Sequence, residues 1–325
     1  MDSPSSGVNA PTAAQNRLDS GDVAFLFPGQ GSQSVGMGRD LYAESPAARA
    51  IFEEVDASLG RGLSRIMFEG PESDLVRTEN AQPAIMAVSL ACHAALTEAR
   101  GSAPKPAMVA GHSLGEYSAL AVAGVLGIAD TARLVVARGR LMQEACHQRP
   151  GGMAALIGID ELAAEDVCRQ TGTYISNINS SDQIIIAGDH LNLARAIDLA
   201  AARGARKAIP LSVGGAFHSG LMAPAQTGLN ELIDTTEFRN PRVPIVANCD
   251  ARPLTTAAEV KDELRSQLTS CVQWKRSIAV MMDSGIRRFV EIGPGRVLTG
   301  LVKRIDSSAE LMNIGTLAAV RSLAT

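Results

Sequence analysis

The segment GHSLG at residues 111–115 places one serine, Ser113, between two glycines. A buried-strand pattern over residues 106–111 precedes the serine, and an Ala-rich segment with helical spacing follows it. This context predicts a tight strand-to-helix turn that pushes the serine hydroxyl out of the backbone, where small neighbours leave room for a reacting carbonyl. The alternative is a strand–helix connection whose glycines only allow close packing. The pattern therefore favours Ser113 as a nucleophile.

A serine hydroxyl is a weak nucleophile until a base takes its proton, so the chain must also supply a base. The five histidines of the chain are His93, His112, His147, His190 and His218. His93 lies in a long apolar helical segment, and the ring of His112 should leave the turn in another direction. His218 lies in a glycine-flanked loop, residues 214–220, and such a loop suits close approach to a substrate. We therefore favour His218 as the base.

A second glycine-rich loop, FPGQGSQ at residues 27–33, follows an apolar strand pattern at 23–27. It does not fit the dinucleotide-binding pattern, which would need a third glycine at Ser34. One interpretation is a plain turn. The functional interpretation is that a backbone N–H of this loop joins the N–H of Leu114 in an oxyanion hole.

The elements that must position these residues alternate between strands and helices, and the strands are nearly continuous apolar runs. This pattern predicts an α/β fold with a mostly parallel sheet. Within residues 150–214 the order is strand, helix, strand, strand, helix, strand, which is typical of a ferredoxin-like module. We predict a disordered leader at 1–21, a large domain formed by 22–149 and 215–325, and a small inserted subdomain at 150–214.

Composition restricts the classes of partner. The formal net charge of −4 over 325 residues gives no reason to expect nucleic acid, and an anionic macromolecule would need a local basic face. No apolar run reaches transmembrane length, so no membrane partner is expected. Five widely spaced cysteines form no C-x-x-C pair, which argues against a zinc site or a disulfide framework and favours the cytoplasm.

With these residues assembled, the chain closely resembles the malonyl-CoA:acyl carrier protein transacylases of fatty-acid and polyketide synthesis. The resemblance runs collinearly from residue 23 to about residue 305, and it implies a hydrolase-like α/β core with an inserted ferredoxin-like subdomain. The stretches that carry it include FLFPGQGSQSVGMG, TENAQPAIMAVS, AGHSLGEYSALAVAGVL, ARGRLMQEA, NINSSDQIIIAG, GAFHSGLMAPA, CVQW and EIGPGRVLTGLVKRI.

The resemblance implies that Ser113 is the acylated nucleophile and that His218 is its base. It implies that Gln30 and Leu114 supply the N–H groups of the oxyanion hole. It also implies that Gln273, in CVQW, orients the histidine through its backbone carbonyl.

Two further residues concern the acyl group. The resemblance implies that Arg138 holds the malonyl carboxylate, which a planar guanidinium can bind with two parallel hydrogen bonds. Without the resemblance, an ion pair on a helix surface would be the preferred interpretation of this arginine. Phe217 precedes the base, and in related domains a phenylalanine there goes with malonyl rather than methylmalonyl. Asn177 and Asn179 fall in a family asparagine region but receive no role.

The expected reaction is ping-pong transfer of malonyl from malonyl-CoA to the phosphopantetheine thiol of an acyl carrier protein, with no metal or redox cofactor. A serine hydrolase or thioesterase, and a non-catalytic carrier-binding subunit, are the alternatives. Carrier proteins are usually acidic, and Arg296, Lys303 and Arg304 are candidates for the basic docking face. These cations could instead only complement a helix dipole.

Overall fold

A computed structural model describes residues 18–324, which form two sheets with helices around them. The larger sheet has the strand order β10-β9-β1-β2-β7-β8, and all of its neighbouring pairs are parallel except β7 with β8. Its strands are β1 (Val23–Phe27), β2 (Met108–Gly111), β7 (Ile245–Val246), β8 (Pro253–Leu254), β9 (Arg288–Ile292) and β10 (Glu310–Ile314). The predicted α/β fold with a mostly parallel sheet is confirmed.

Along the chain, helices lie between and after the strands of this sheet. They are α1 (Arg39–Glu44), α2 (Pro46–Leu59), α3 (Leu63–Glu69), α4 (Glu72–Leu75), α5 (Thr78–Arg100), α6 (Gly115–Val122), α7 (Ile128–Gln148), α10 (Ala223–Thr235), α11 (Ala257–Leu264), α12 (Trp274–Asp283), α13 (Val297–Ile305) and α14 (Leu317–Ala324). Helix α5 is buried over most of its 23 residues, because it is apolar on nearly every face and runs through the core. No helix within residues 18–324 is long and apolar enough to cross a membrane.

The smaller sheet is antiparallel, with the strand order β4-β5-β3-β6. Its elements in chain order are β3 (Gly152–Ile157), α8 (Glu161–Thr171), β4 (Tyr174–Ser180), β5 (Gln183–Gly188), α9 (His190–Ala202) and β6 (Lys207–Pro210). This is the ferredoxin-like order expected from the sequence. All of these elements lie within the predicted subdomain 150–214, whose limits stay a prediction.

One segment joins the small sheet to the large domain. The N–H of Val272 donates to the carbonyl of Ser176 at 2.9 Å, and the N–H of Ile178 donates to the carbonyl of Val272 at 2.9 Å. Strand β4 is therefore attached by backbone hydrogen bonds to the loop that precedes α12. This attachment fixes the small subdomain beside the carboxyl edge of the large sheet.

The predicted disordered leader at 1–21 is only partly open to comparison, because residues 1–17 lie outside the described residues. Its last residues are ordered, so that part of the prediction is wrong. Leu18 is completely buried, and the carboxylate of Asp19 pairs with the guanidinium of Arg100 at 2.6 Å. A buried leucine and a partly buried ion pair hold this segment against α5.

Candidate active site

Ser113 occupies a sharp turn between β2 and α6. Its φ of 52° lies in the left-handed region, which is costly for a residue with a side chain. The two flanking glycines allow the turn, because a Cβ on Gly111 would lie 1.9 Å from the carbonyl carbon of Gly115. A Cβ on Gly115 would lie 1.9 Å from the carbonyl oxygen of Phe27. The turn therefore needs glycine at both positions and presents the serine at the carboxyl edge of the sheet.

His218 lies against the serine. Its Nε2 is 2.7 Å from the Oγ of Ser113, and its Nδ1 is 3.0 Å from the backbone carbonyl oxygen of Gln267. Because a carbonyl only accepts, Nδ1 carries the ring proton and Nε2 is left to accept the serine proton. Burial, followed by the nearby charge of Arg138, lowers the pKa of His218 to about 3. The ring is thus neutral at physiological pH, as a general base must be.

The resemblance assigned the orienting carbonyl to Gln273, and the structure corrects this assignment to Gln267. Gln273 immediately precedes α12, and its carbonyl accepts from the N–H of Ser277 at 2.9 Å in the first turn of that helix. Its side-chain oxygen accepts from Arg276 at 2.7 Å. The 3₁₀ turn Gln267–Thr269 instead brings the carbonyl of Gln267 to the histidine.

Arg138 projects from α7 into the same site and is completely buried. It donates to Oε1 of Gln82 at 2.7 Å, to Oε1 of Gln267 at 3.1 Å and to Oγ of Ser113 at 3.1 Å. Its guanidinium lies 5.6 Å from the ring centre of Tyr117, and its Nε has no hydrogen-bond partner among residues 18–324. No carboxylate within the described chain forms an ion pair with it. A buried guanidinium without a paired anion, in contact with the serine, is suited to bind the carboxylate of a substrate.

The two predicted oxyanion donors lie on either side of the serine turn. A Cβ on Gly29 would lie 2.5 Å from the carbonyl oxygen of His112, so the loop after β1 contacts the turn directly. Over residues 18–324, the backbone N–H groups of Gln30 and Leu114 have no protein acceptor. Both groups are therefore available to a ligand oxygen, and the role assigned to them stays a prediction.

A cavity of about 400 Å³ opens over the serine, between the large sheet and the small subdomain. Phe217 and Asn179 line it, as do three residues of α13, Val297, Leu298 and Leu301. Phe217 is nearly buried and narrows the cavity next to the base. His112 also lines this cavity, and its Nε2 lies 3.0 Å from Oδ1 of Asn179.

The sequence did not single out Asn248, which holds the serine turn in place. Its Oδ1 accepts from the N–H of Ser113 at 2.7 Å, and its Nδ2 donates to the carbonyl of Gly111 at 2.7 Å. Gln82 and Gln267, the two amides that bind Arg138, were also missed. The signal for Asn248 was present: this polar residue lies two positions after the end of β7, and it therefore lies at the same sheet edge as the serine.

The three candidate docking cations lie on or next to α13. Arg296, Lys303 and Arg304 are exposed, and none of them forms an ion pair with another described residue. The same helix contributes Val297 and Leu301 to the wall of the cavity. A basic, solvent-exposed surface therefore borders the opening to Ser113.

Comparison with known proteins decides the family. The family model described as "Acyl transferase domain" matches residues 24–319. The chain belongs to this acyl transferase family. A malonyl CoA-acyl carrier protein transacylase of Bacillus subtilis is 42% identical over 289 residues, which cover 87% of this chain and 90% of that protein.

Solved structures of acyl transferases have the same fold as this chain. An acyl-carrier-protein S-malonyltransferase from Bartonella henselae has a TM-score of 0.88 at 40% identity. The match covers 93% of this chain and 99% of the Bartonella chain. A malonyl-transacylase solved in complex with its type II PKS acyl-carrier protein has a TM-score of 0.89 at 37% identity. This match covers 93% of the present chain and 99% of the transacylase chain. These proteins are similar to the present acyl transferase over nearly all of the described chain.

Proposed function

We propose that this acyl transferase is an acyl-carrier-protein S-malonyltransferase. It moves the malonyl group from malonyl-CoA to the phosphopantetheine thiol of an acyl carrier protein. The observation that carries the proposal is Arg138, a buried guanidinium without a paired carboxylate, 3.1 Å from Oγ of Ser113. A substrate that carries a carboxylate near its reacting carbonyl fits this arrangement.

In the first half-reaction, the malonyl carboxylate binds Arg138 and the thioester carbonyl lies over Ser113. His218 Nε2 takes the hydroxyl proton as Oγ attacks the carbonyl carbon, and the N–H groups of Gln30 and Leu114 stabilise the oxyanion. The carbon–sulfur bond then breaks, and the leaving CoA sulfur takes the proton from His218. The product is a malonyl ester of Ser113.

In the second half-reaction, the phosphopantetheine thiol of the carrier protein gives its proton to His218 and attacks the ester carbonyl. The bond to Oγ breaks, and Ser113 recovers the proton. The orienting group of His218 is the neutral carbonyl of Gln267, which fixes the tautomer but stabilises the imidazolium less than a carboxylate would.

The malonyl carboxylate has a second effect through Arg138. Burial and the charge of Arg138 both lower the pKa of His218, so the free enzyme holds a weakly basic histidine. A carboxylate bound to Arg138 offsets that positive charge and raises the basicity of the ring. Malonyl binding therefore favours the proton transfer from Ser113, whereas an acetyl group lacks this effect.

Three further features belong to the proposal. Phe217 restricts space beside the α-carbon, which disfavours a branched methylmalonyl group. The nucleophile, base and oxyanion donors all come from the chain, so the reaction as written requires no metal or redox cofactor. The five cysteines are free thiols, as expected of a protein that works in the reducing cytoplasm.

Intact-mass measurement after incubation with malonyl-CoA tests the function. We expect a mass increase of one malonyl group, discharged when holo carrier protein is added and retained with apo carrier protein, which lacks the thiol. Rapid release of free malonate without carrier protein would instead indicate the hydrolase alternative. Absence of any adduct would contradict the proposed acyl-enzyme.

Charge reversal on α13 tests the docking surface. In the variant Lys303→Glu/Arg304→Glu, we expect the KM for carrier protein to rise about tenfold and its salt dependence to weaken, because an acidic partner loses two favourable charges. Acylation by malonyl-CoA should be unchanged. Lys105→Glu, an exposed lysine before the amino end of β2, is the matched control. An unchanged carrier half-reaction in the double variant would remove this assignment.

A further inference from the structure

Two buried carboxyl groups lie behind the serine turn and take no part in the reaction as derived. Glu116, on α6, is completely buried, and Glu263, on α11, is 5% exposed. Both accept a hydrogen bond from the N–H of Asn248, at 3.1 and 3.0 Å, and Glu263 also accepts from the N–H of Cys249 at 2.9 Å. Neither forms an ion pair with a cation of the described residues. Two carboxyl oxygens therefore converge on one hydrogen.

The surroundings determine the charge that this pair can carry. Burial and then the proximity of Glu263 raise the pKa of Glu116 well above its ordinary value, and burial also raises that of Glu263. The nearby Cys249 and Tyr117 are neutral, because burial raises the pKa of both groups. Asp250 adds a further negative charge, which is paired with an exposed arginine. Two buried carboxyl groups whose oxygens meet at one N–H disfavour ionisation of both, because like charges in a buried site repel each other.

Gln267 connects this pair to the substrate anchor. Its Nε2 donates to Oε2 of Glu116, and its Oε1 accepts from Arg138 at 3.1 Å. A further hydrogen bond from Nε2 to the carbonyl of Ser113, at 3.1 Å, fixes the orientation of the amide. The amide dipole is thus aligned between the guanidinium and the carboxyl pair. A fully buried guanidinium requires a counter-charge, and this pair is the one that the hydrogen-bond chain reaches.

We propose that Glu116 and Glu263 share one proton, and that their remaining negative charge is the resting counter-ion of Arg138, which the malonyl carboxylate replaces. The inference rests on the proposed function, because it takes the malonyl carboxylate as the anion that replaces the glutamate pair at Arg138. The pair competes with the substrate carboxylate for the same guanidinium. It therefore acts as a pair of positioning residues that keep Arg138 charged and oriented in the free enzyme and that limit how tightly malonyl is held.

Binding measurements on glutamine variants test this inference. Glu116→Gln, Glu263→Gln and the double variant are placed in a Ser113→Ala background, which prevents acylation, and calorimetry gives Kd for malonyl-CoA and acetyl-CoA. Each single variant should bind malonyl-CoA within about twofold of the parent, because an amide replaces the protonated carboxyl and the other carboxylate keeps the charge. The double variant should bind malonyl-CoA about tenfold more tightly and acetyl-CoA unchanged.

Several results would overturn the inference. They are equal or weaker malonyl-CoA binding by the double variant, equal tightening for acetyl-CoA, or full tightening in a single variant. Because the double variant leaves Arg138 without a counter-ion and could fail to fold, infrared difference spectra provide a second test. The protein with both carboxyls should show a protonated carboxyl band that either single variant abolishes, and its absence would also overturn the shared proton. Failure of the proposed function would appear separately, as no malonyl adduct on the protein with Ser113 intact.

Discussion

Replacement of Ser113 by alanine should abolish the malonyl-enzyme and lower the rate of malonyl transfer by about 10⁴-fold or more, because it removes the hydroxyl that is hydrogen-bonded to the base His218. Intact-mass measurement with malonyl-CoA, together with a carrier-protein transfer assay, reads both quantities. Ser118→Ala is the matched control, since Ser118 follows the turn on α6 and its buried Oγ has no hydrogen-bond partner in the described part of the chain. This control should acylate normally.

His218→Ala should slow both half-reactions, because the same Nε2 accepts a proton in each of them. Adduct formation at the normal rate in Ser113→Ala would remove Ser113 from the mechanism. Loss of only one half-reaction in His218→Ala would assign the other proton transfer to a different group. Both variants should keep the melting temperature near that of the parent, which separates a chemical effect from misfolding.

Replacement of Arg138 by alanine should collapse the preference for malonyl over acetyl groups. The malonyl carboxylate would enter a buried site without a partner, a loss that typically costs about 2–5 kcal/mol, or roughly 30- to several-thousand-fold in kcat/KM. Acetyl-CoA carries no carboxylate and should lose little. The measurement is the ratio of the two kcat/KM values for acylation, with Ser113 still able to form an adduct.

Two further variants define what Arg138 contributes. Arg138→Lys should recover only part of the ratio, because an ammonium keeps the charge but not the planar pair of donors. Arg140→Ala is the control on the same α7, since Arg140 is exposed and pairs with Glu144. If malonyl and acetyl transfer fall equally in Arg138→Ala, the residue is structural, and selectivity must be sought at Phe217.

Local patterns predicted the parts of this molecule that depend on neighbouring residues. The apolar run of β1, the glycines around Ser113 and the glycine-flanked loop of His218 each carry their signal within a few residues. The edge strand β10 was not predicted, because its residues are mostly half-exposed and form no continuous apolar run. Leu18 was assigned to the leader because nothing nearby in sequence indicates that it is buried.

Contacts between distant segments could not be predicted in the same way. Gln267 meets Ser113 across 154 residues and His218 across 49, and only the fold brings them together. The assignment to Gln273 was wrong because a motif match does not reveal which carbonyl of a loop faces the histidine. Arg138 was identified through the resemblance alone, since a single arginine in a helical pattern does not show whether it faces the core.

The left-handed backbone at Ser113 and His218 has a consequence for efforts to make this protein more heat-resistant. At φ values of 52° and 53°, a residue with a side chain costs about 1–2 kcal/mol relative to its favoured conformations, and glycine relieves that strain. Selection for thermal resistance alone therefore rewards glycine at the two positions that perform the chemistry. A library screened only for survival on heating would accumulate inactive variants with glycine at these two positions. Each round therefore has to measure malonyl transfer together with the melting temperature.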